Sequence, residues 1–376
     1  MNVVVSGYVA PFPIAAFFWQ AVSFALGFRA LGHDVWFLED SGDDPYCWDM
    51  VNDRPDPECH AGAAFLAREM RDVGLEGRWV FRHAPSGRYD GMDSEATAQV
   101  LAEADLFVNV SCMTKMRPEY LQIPHRLAID TDPVFTQLRV AEGELADVPE
   151  THTRLYTFGR PPLPGQRHEW IPTRQPVAAE YWPLAGPPPE DAPFATLLAS
   201  WRAEWSAEWD GVEYAGKEES FADYFDLPAR TGVRLRVAVG GLKTHQAGAL
   251  LRRHGWEVTH GASVSASSSA YRSFIAASAG EFGIAQHAYV APRSGWFSER
   301  TCAFLACGRP AVVQETGFSD WLPTGEGLLS FSTVDEAAHA LEEVASDWPR
   351  HAAAARALAA EQFDAASVCA GLLEAI

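Results

Sequence analysis

Three segments of this chain combine residue types that could do chemistry. The first is Arg293-Ser294-Gly295, followed by Ser298, Glu299 and Arg300 where a helix begins. A helix N-terminus presents unpaired backbone N–H groups and a partial positive charge, which suits an anion. Gly295 allows close backbone approach, and Ser294 or Ser298 can cap the helix or bind an oxygen. The guanidinium groups of Arg293 and Arg300 match the oxygens of a diphosphate. The plainer alternative is a capped helix with surface arginines, because short motifs of this kind have many chance matches. The second segment is Asp130-Thr131-Asp132, which ends an apolar run. Asp130 or Asp132 could take a proton from a hydroxyl as general base, or the pair could simply cap the loop ahead of Pro133. The third is Gly240-Gly241-Leu242-Lys243, a turn ending in a cation, for which a β-turn with a solvated lysine is the simple alternative.

Repeated strand and helix patterns must position these residues. Asn2–Val9 is a continuous apolar run, as expected of a parallel strand buried on both faces. Residues 15–33 read as a helix ending at a Gly-His stop, and Asp34–Asp40 as the next strand. Such a unit needs a right-handed crossover and a parallel sheet. Further helices are expected at His60–Arg71 and Asp93–Glu103, and strands at Arg78–Arg82, Leu106–Ser111, Arg126–Phe135 and Arg154–Gly159. Between about Gly159 and Pro193 the composition shifts to proline, which marks a linker. VRLRVAVGG, residues 233–241, begins a second α/β series, and an alanine-rich tail from Arg350 to Ile376 reads as nearly uninterrupted helix. The expected fold is therefore α/β, with two doubly wound, Rossmann-like domains facing a cleft. Residues 1–175 would form the first, residues 176–355 the second, and a helix over 356–376 would cross back to the first. In such sheets ligands bind beyond the carboxyl ends of the strands. Glu39, Asp40 and His83 also end strands and could touch a ligand, although structural roles suit them better. Trp201, Trp205 and Trp209 recur every four residues, a spacing that fits a sugar-stacking platform and, more often, a packed helical stripe.

Composition narrows the function. The formal net charge is −21 and the pI about 4.9. A chain this acidic repels a phosphate backbone, so nucleic acid is not an expected partner. No 18-residue apolar run suggests a membrane span, and the N-terminus lacks the basic start of a signal peptide. The six cysteines form no CxxC pair and read as reduced thiols of a cytoplasmic protein. The twelve histidines show no HxH or HExxH spacing, so no metal site is expected from them. There is no GxSxG elbow and no GxxxxGKS loop.

Residues 289–318, YVAPRSGWFSERTCAFLACGRPAVVQETGF, resemble the C-terminal domain of GT-B glycosyltransferases. The order of loop, helix, ACG-x-P (Ala306–Pro310), apolar strand and Gly-containing turn (Thr316-Gly317-Phe318) is similar. GYVAPFP and LGHDVWFLED resemble that superfamily's acceptor-domain start. DTDPVFTQ, WIPTRQPV and TGFSDWLPTGEGLLSFST are similar to a bacterial subgroup of largely uncharacterised members. The resemblance spans nearly the whole chain. It implies GT-B architecture and transfer of a sugar from a nucleoside diphosphate sugar to a small-molecule or glycan acceptor. No other cofactor is expected, and because the charge of the basic groups would stabilise the departing diphosphate, no metal is expected either. The resemblance further implies that Gly240, Gly241 and Lys243 face the donor phosphates, that Arg293, Ser294, Gly295, Ser298 and Arg300 hold the diphosphate, and that Thr316, Gly317 and Phe318 lie over the donor sugar. One departure stands out. Many retaining members carry two glutamates with seven residues between them. Here Gly295 and Ala303 occupy those positions, and Glu299 is the only acid nearby. Asp-x-Asp is also the metal signature of the other glycosyltransferase fold, GT-A, which the second α/β unit argues against. A nucleotide-sugar epimerase or hydrolase, or a non-catalytic nucleotide-sugar-binding protein, would share the GT-B fold.

Overall fold

The structure is a computed structural model. It describes the chain apart from residues 51, 161–162, 164–166, 199–206, 210, 241–243 and 375, and the side chains of 207, 244 and 245. Two main sheets organise the described residues. The first has eight strands. Numbered along the chain they lie in the order 8-7-6-5-1-2-3-4. Asn2–Ser6 sits in the middle, between Asp34–Asp40 and Leu106–Val110, with parallel pairing on both sides. Only the edge strand Arg88–Gly91 is antiparallel, returning along Trp79–His83. The second sheet has six parallel strands in the order 3-2-1-4-5-6. Both sheets reverse direction beside their first strand, which makes each doubly wound.

The second sheet starts earlier than the sequence reading placed it. Its first and central strand is Phe194–Leu198, not Leu235–Val239. Five residues, four of them apolar, directly after a proline-rich stretch carry no period that separates strand from loop. As a consequence, Gly240 follows the second strand of this sheet rather than the first. Ile171–Pro172 likewise adds an edge strand beyond Arg154–Thr157.

Helix Ala15–Ala30 is the central strut. It is apolar all round, and a helix of that kind needs neighbours on every side. It packs on the first sheet, on the tail, and on helices Ser268–Ala276 and Glu299–Ala306 of the second unit. The tail is two helices, Trp348–Gln362 and Ala365–Leu373, rather than one. Phe363 and Asp364 interrupt it, and the Asp364 carboxylate caps the second piece by accepting from the Ser367 N–H at 2.9 Å. That last helix docks on helix Ala15–Ala30 at Gly27. A Cβ at Gly27 would stand 2.4 Å from the Ala365 carbonyl oxygen and 2.6 Å from the Cys369 sulfur. Gly27→Ala is therefore expected to destabilise the fold by about 1–3 kcal/mol through overpacking. Urea unfolding and protease cleavage near Phe363 would report it, and wild-type behaviour in both would contradict the docking.

Cys47 and Cys59 are disulfide-bonded, with their Cα atoms 5.4 Å apart, a separation ordinary for a bridge. This corrects the reading of six reduced thiols, and the compartment argument built on it lapses. Cys112, Cys302, Cys307 and Cys369 are free and buried. Among the described residues no helix is long and apolar enough to cross a membrane.

Candidate functional site

The main cavity lies where the carboxyl ends of the second sheet face the first domain. It encloses about 770 Å³, including the part open to solvent. Leu197, Leu198, Ala238, Gly240 and Gly261 mark the ends of three adjacent strands around the switch point, and Gln286 follows a fourth. This is the position that doubly wound topology reserves for a ligand. Among the described residues the first domain contributes only apolar side chains, from Ile14, Ala16, Phe17 and Met50. The polar groups come from the second: Lys217, Ser265, Gln286, Ser298, Glu299 and Arg300. A smaller adjoining cavity shares Trp296, Ser298 and Arg300 and is further lined by Thr316 and Phe318.

Helix Glu299–Ala306 aims its N-terminus at this space. Ser298 is its N-cap and accepts from the Arg300 N–H at 3.2 Å. The Arg300 side chain turns inward. Its Nε donates to Glu281 at 2.5 Å and one terminal nitrogen donates to the Leu197 carbonyl at 2.8 Å. Glu281 is fully buried, and its second oxygen has no hydrogen-bond partner among the described residues.

Lys217 is the residue that sequence reasoning missed. It opens the short helix Lys217–Phe221 and stands half-buried in the cavity wall. No hydrogen bond or ion pair engages it among the described residues. Burial pushes its ammonium down to about 7, and the Arg300 charge adds to the effect. A cation held this way gains most from an arriving anion. The only signal in the sequence was Gly216-Lys217. With Glu218 and Glu219 following, it reads as a solvated charge run. Gly241 and Lys243 lie outside the described residues, as do Trp201 and Trp205.

The Arg293 segment sits differently from the expectation. The Arg293 side chain is 56% exposed, pairs with Asp320 at 3.3 Å, and lines neither cavity. Ser294 is buried, with its N–H and hydroxyl both donating to the Tyr289 carbonyl. Gly295 donates to the Thr316 carbonyl at 2.6 Å. Its φ is +70°, and an added Cβ would lie 2.3 Å from the Arg160 carbonyl oxygen. These backbone groups are spent on packing the loop against the residues after the first domain's strand Arg154–Thr157, so they do not cradle an anion. Gly317, with φ +96°, donates to the Glu315 carboxylate at 2.6 Å and packs against Arg293.

Asp130 also sits differently from the expectation. It is fully buried and accepts from Asp132 N–H (2.9 Å), Gln137 (3.1 Å) and Thr157 (2.8 Å). It ties the strand His125–Asp130 to helix Pro133–Glu142 and offers nothing to a substrate. Asp132 is different. It is half-buried and accepts from the Tyr289 hydroxyl of the second domain. Tyr289 stacks on Trp296 with centroids 4.3 Å apart, and Trp296 Nε1 donates to the Thr131 carbonyl at 3.1 Å. The two domains are thus joined at this loop. Burial pushes Asp132 up to about 7; the Tyr289 hydrogen bond opposes this and the Asp130 charge adds to it. Among the described residues no group of three or more His, Cys, Asp or Glu side chains could hold a metal ion.

The other strand-end acids are structural. Asp40 accepts from Arg117 at 2.6 and 2.7 Å and from Tyr120 at 2.9 Å. His83 is fixed between Ser86 and the Pro57 carbonyl. Glu39 accepts the Val9 and Ala10 N–H groups at 2.7 and 2.6 Å and so holds the loop that leads into the cavity wall. Glu39→Ala leaves both donors buried without a partner and is expected to cost about 2–5 kcal/mol of folding stability. Chemical denaturation tests this, and a loss below about 1 kcal/mol would contradict the assignment.

Solved structures of glycosyltransferases align with the whole chain. AviGT4, a glycosyltransferase involved in avilamycin A biosynthesis, is 12% identical, with a TM-score of 0.57 over 99% of this chain and 96% of its own. Anabaena Alr3699/HepE, in complex with UDP and glucose, is 12% identical, with a TM-score of 0.57 over 100% and 99%. Sucrose-phosphate synthase from Thermosynechococcus elongatus is 10% identical, with a TM-score of 0.58 over 100% and 98%. No protein-family model and no curated protein matches the sequence. At these identities the alignments show the fold, which is GT-B.

Proposed function

We propose that this chain is a glycosyltransferase that moves a sugar from a nucleoside diphosphate sugar to an acceptor held by the first domain. The observation that carries this reading is Lys217. A partly desolvated ammonium, unpaired among the described residues, stands in the same cavity wall as Arg300, beside the N-terminus of helix Glu299–Ala306 and at the switch point of a doubly wound sheet. That set of groups fits a diphosphate. HepE with UDP in the same fold makes uridine diphosphate the first nucleotide to test.

In this reading Lys217, Arg300 and the positive end of the dipole of helix Glu299–Ala306 take the charge of the departing diphosphate, the role first assigned to Arg293. Thr316 and Phe318, in the adjoining cavity, border the donor sugar. Asp132 keeps the role of base. A value of about 7 suits proton abstraction near neutral pH. It stands beside Trp296 rather than in the cavity wall, so the acceptor hydroxyl would approach over that ring.

Incubation with a UDP-sugar and a panel of hydroxyl acceptors, read by mass spectrometry, tests the proposal. The expected result is free UDP together with an acceptor heavier by one sugar residue. A rearranged or hydrolysed nucleotide sugar with no acceptor product would replace transfer by epimerase or hydrolase chemistry. Because protein cations carry the leaving group, turnover should survive a chelator. Abolition by chelator and rescue by manganese would refute metal independence.

A further inference from the structure

The two first-domain segments that wall the cavity, residues 8–17 and 46–50, also carry a row of rings that the donor chemistry does not use. Tyr8, Phe12, Tyr46 and Trp48 follow one another with centroids 6.2, 6.0 and 6.1 Å apart. Tyr46 is 61% exposed, and the others are half-buried. Two residues along the chain from Phe12 and Trp48 stand Ile14 and Met50, both in the cavity wall. The row therefore sits on the same two segments as the first-domain wall of the proposed site.

The row is held in place from below. Trp48 N–H donates to the Pro11 carbonyl at 2.8 Å, and Ile14 N–H to the Phe12 carbonyl at 2.8 Å. Glu39 fixes Val9 and Ala10, and the Cys47–Cys59 bridge ties the loop to the start of helix His60–Asp72. Rings ordered in advance bind flat partners with little further loss of entropy. Three carboxylates of the same loop are already engaged. Asp43 binds Lys115 and Arg117 at 2.5 and 3.1 Å, Asp49 accepts from Asn52 at 2.6 Å, and Asp53 accepts from Trp48 Nε1 at 3.1 Å. The wall side chains Ile14, Ala16, Phe17 and Met50 have no strong hydrogen-bonding group.

We propose that this surface binds the body of the acceptor, and that the acceptor is an alcohol with a flat, apolar body rather than a free oligosaccharide. A polyol laid on this wall would exchange bonds to water for none, whereas an apolar ring system buries the exposed face of Tyr46 and its neighbours. The inference rests on the glycosyltransferase reading for the word acceptor, but the binding itself is measured without nucleotide.

The test is calorimetric titration of the full chain, without UDP, with naphthyl and phenyl glucosides against free glucose and a glucose oligosaccharide. The aryl glucosides should bind at least about tenfold more tightly than glucose, the gain expected from burying a ring. Tyr46→Ala and Trp48→Ala should each remove most of that preference, and Trp48→Phe should restore it. Urea unfolding of each variant checks the fold. Equal binding of glucose or the oligosaccharide, or an unchanged preference in folded Tyr46→Ala and Trp48→Ala proteins, overturns the proposal. Failure of UDP to bind in a separate titration counts against the donor reading and leaves this result standing.

Discussion

Arg300→Met is expected to be the most damaging single substitution in the second domain. Glu281 is completely buried, and its one ionic partner among the described residues is Arg300, at 2.5 Å. Removing one member of a buried pair leaves the other charge uncompensated, which costs about 3–5 kcal/mol. The Leu197 carbonyl loses a donor as well. The variant should unfold at markedly lower urea concentration than wild type. Arg300→Met with Glu281→Leu should recover much of the loss, because two apolar side chains remove the stranded charge. Wild-type stability of the single variant would show that the pair is not enclosed as described.

Lys217→Met should behave in the opposite way: an intact fold with a failed site. A hydrogen bond to a charged group is worth about 1.5–3 kcal/mol, so diphosphate affinity should fall by about 10- to 150-fold. The pH dependence gives a second signature. The free lysine titrates near 7, and an arriving diphosphate favours its charged form. Above about pH 7, wild-type protein should therefore take up a proton on binding, and its affinity should fall as the pH rises. Lys217→Met should bind weakly with no proton uptake by this group. Folding stability follows the same linkage. The unfolded chain keeps this proton up to about 10.5 and the folded chain only to about 7. Between those values the unfolded state binds more protons, so wild-type stability gains a contribution that rises with pH and the variant lacks it.

Particular residues show where sequence reading works. Asn2–Ser6 and Asp34–Asp40, with the apolar helix between them, have one compact arrangement available, a right-handed parallel unit. The Pro-rich stretch separates two such series. Phe194–Leu198 escaped because so short a mostly apolar segment is ambiguous by itself, and its place at the centre of a sheet comes only from pairing with distant strands. The same limit applied to the site. Arg293 stands two residues from Gly295 in a segment that looked made for an anion, yet Gly295 spends its N–H on Thr316 and its open face on Arg160. Arg300 lies on the same helix start but points inward to Glu281, a partner 19 residues away. Lys217 becomes a cavity cation only through tertiary contacts: the His287 and Ala288 N–H groups donate to the Gly216 and Ala215 carbonyls, and this segment puts Lys217 in the same cavity wall as Arg300. Asp130 and Asp132 are alike in sequence, and the difference between them is tertiary: one is saturated by Gln137 and Thr157, the other reaches Tyr289 across the domain interface.

The central claim is that this cavity binds a nucleoside diphosphate through Lys217 and Arg300. Calorimetric titration of wild type and Lys217→Met with UDP and with uridine at pH 7 tests it most directly. Wild type should bind UDP at one site, with a preference over uridine of about 100-fold from the charged contacts, and Lys217→Met should lose most of that preference while remaining folded. Equal affinity for UDP and uridine, or an undiminished preference for UDP in the variant, would contradict the account.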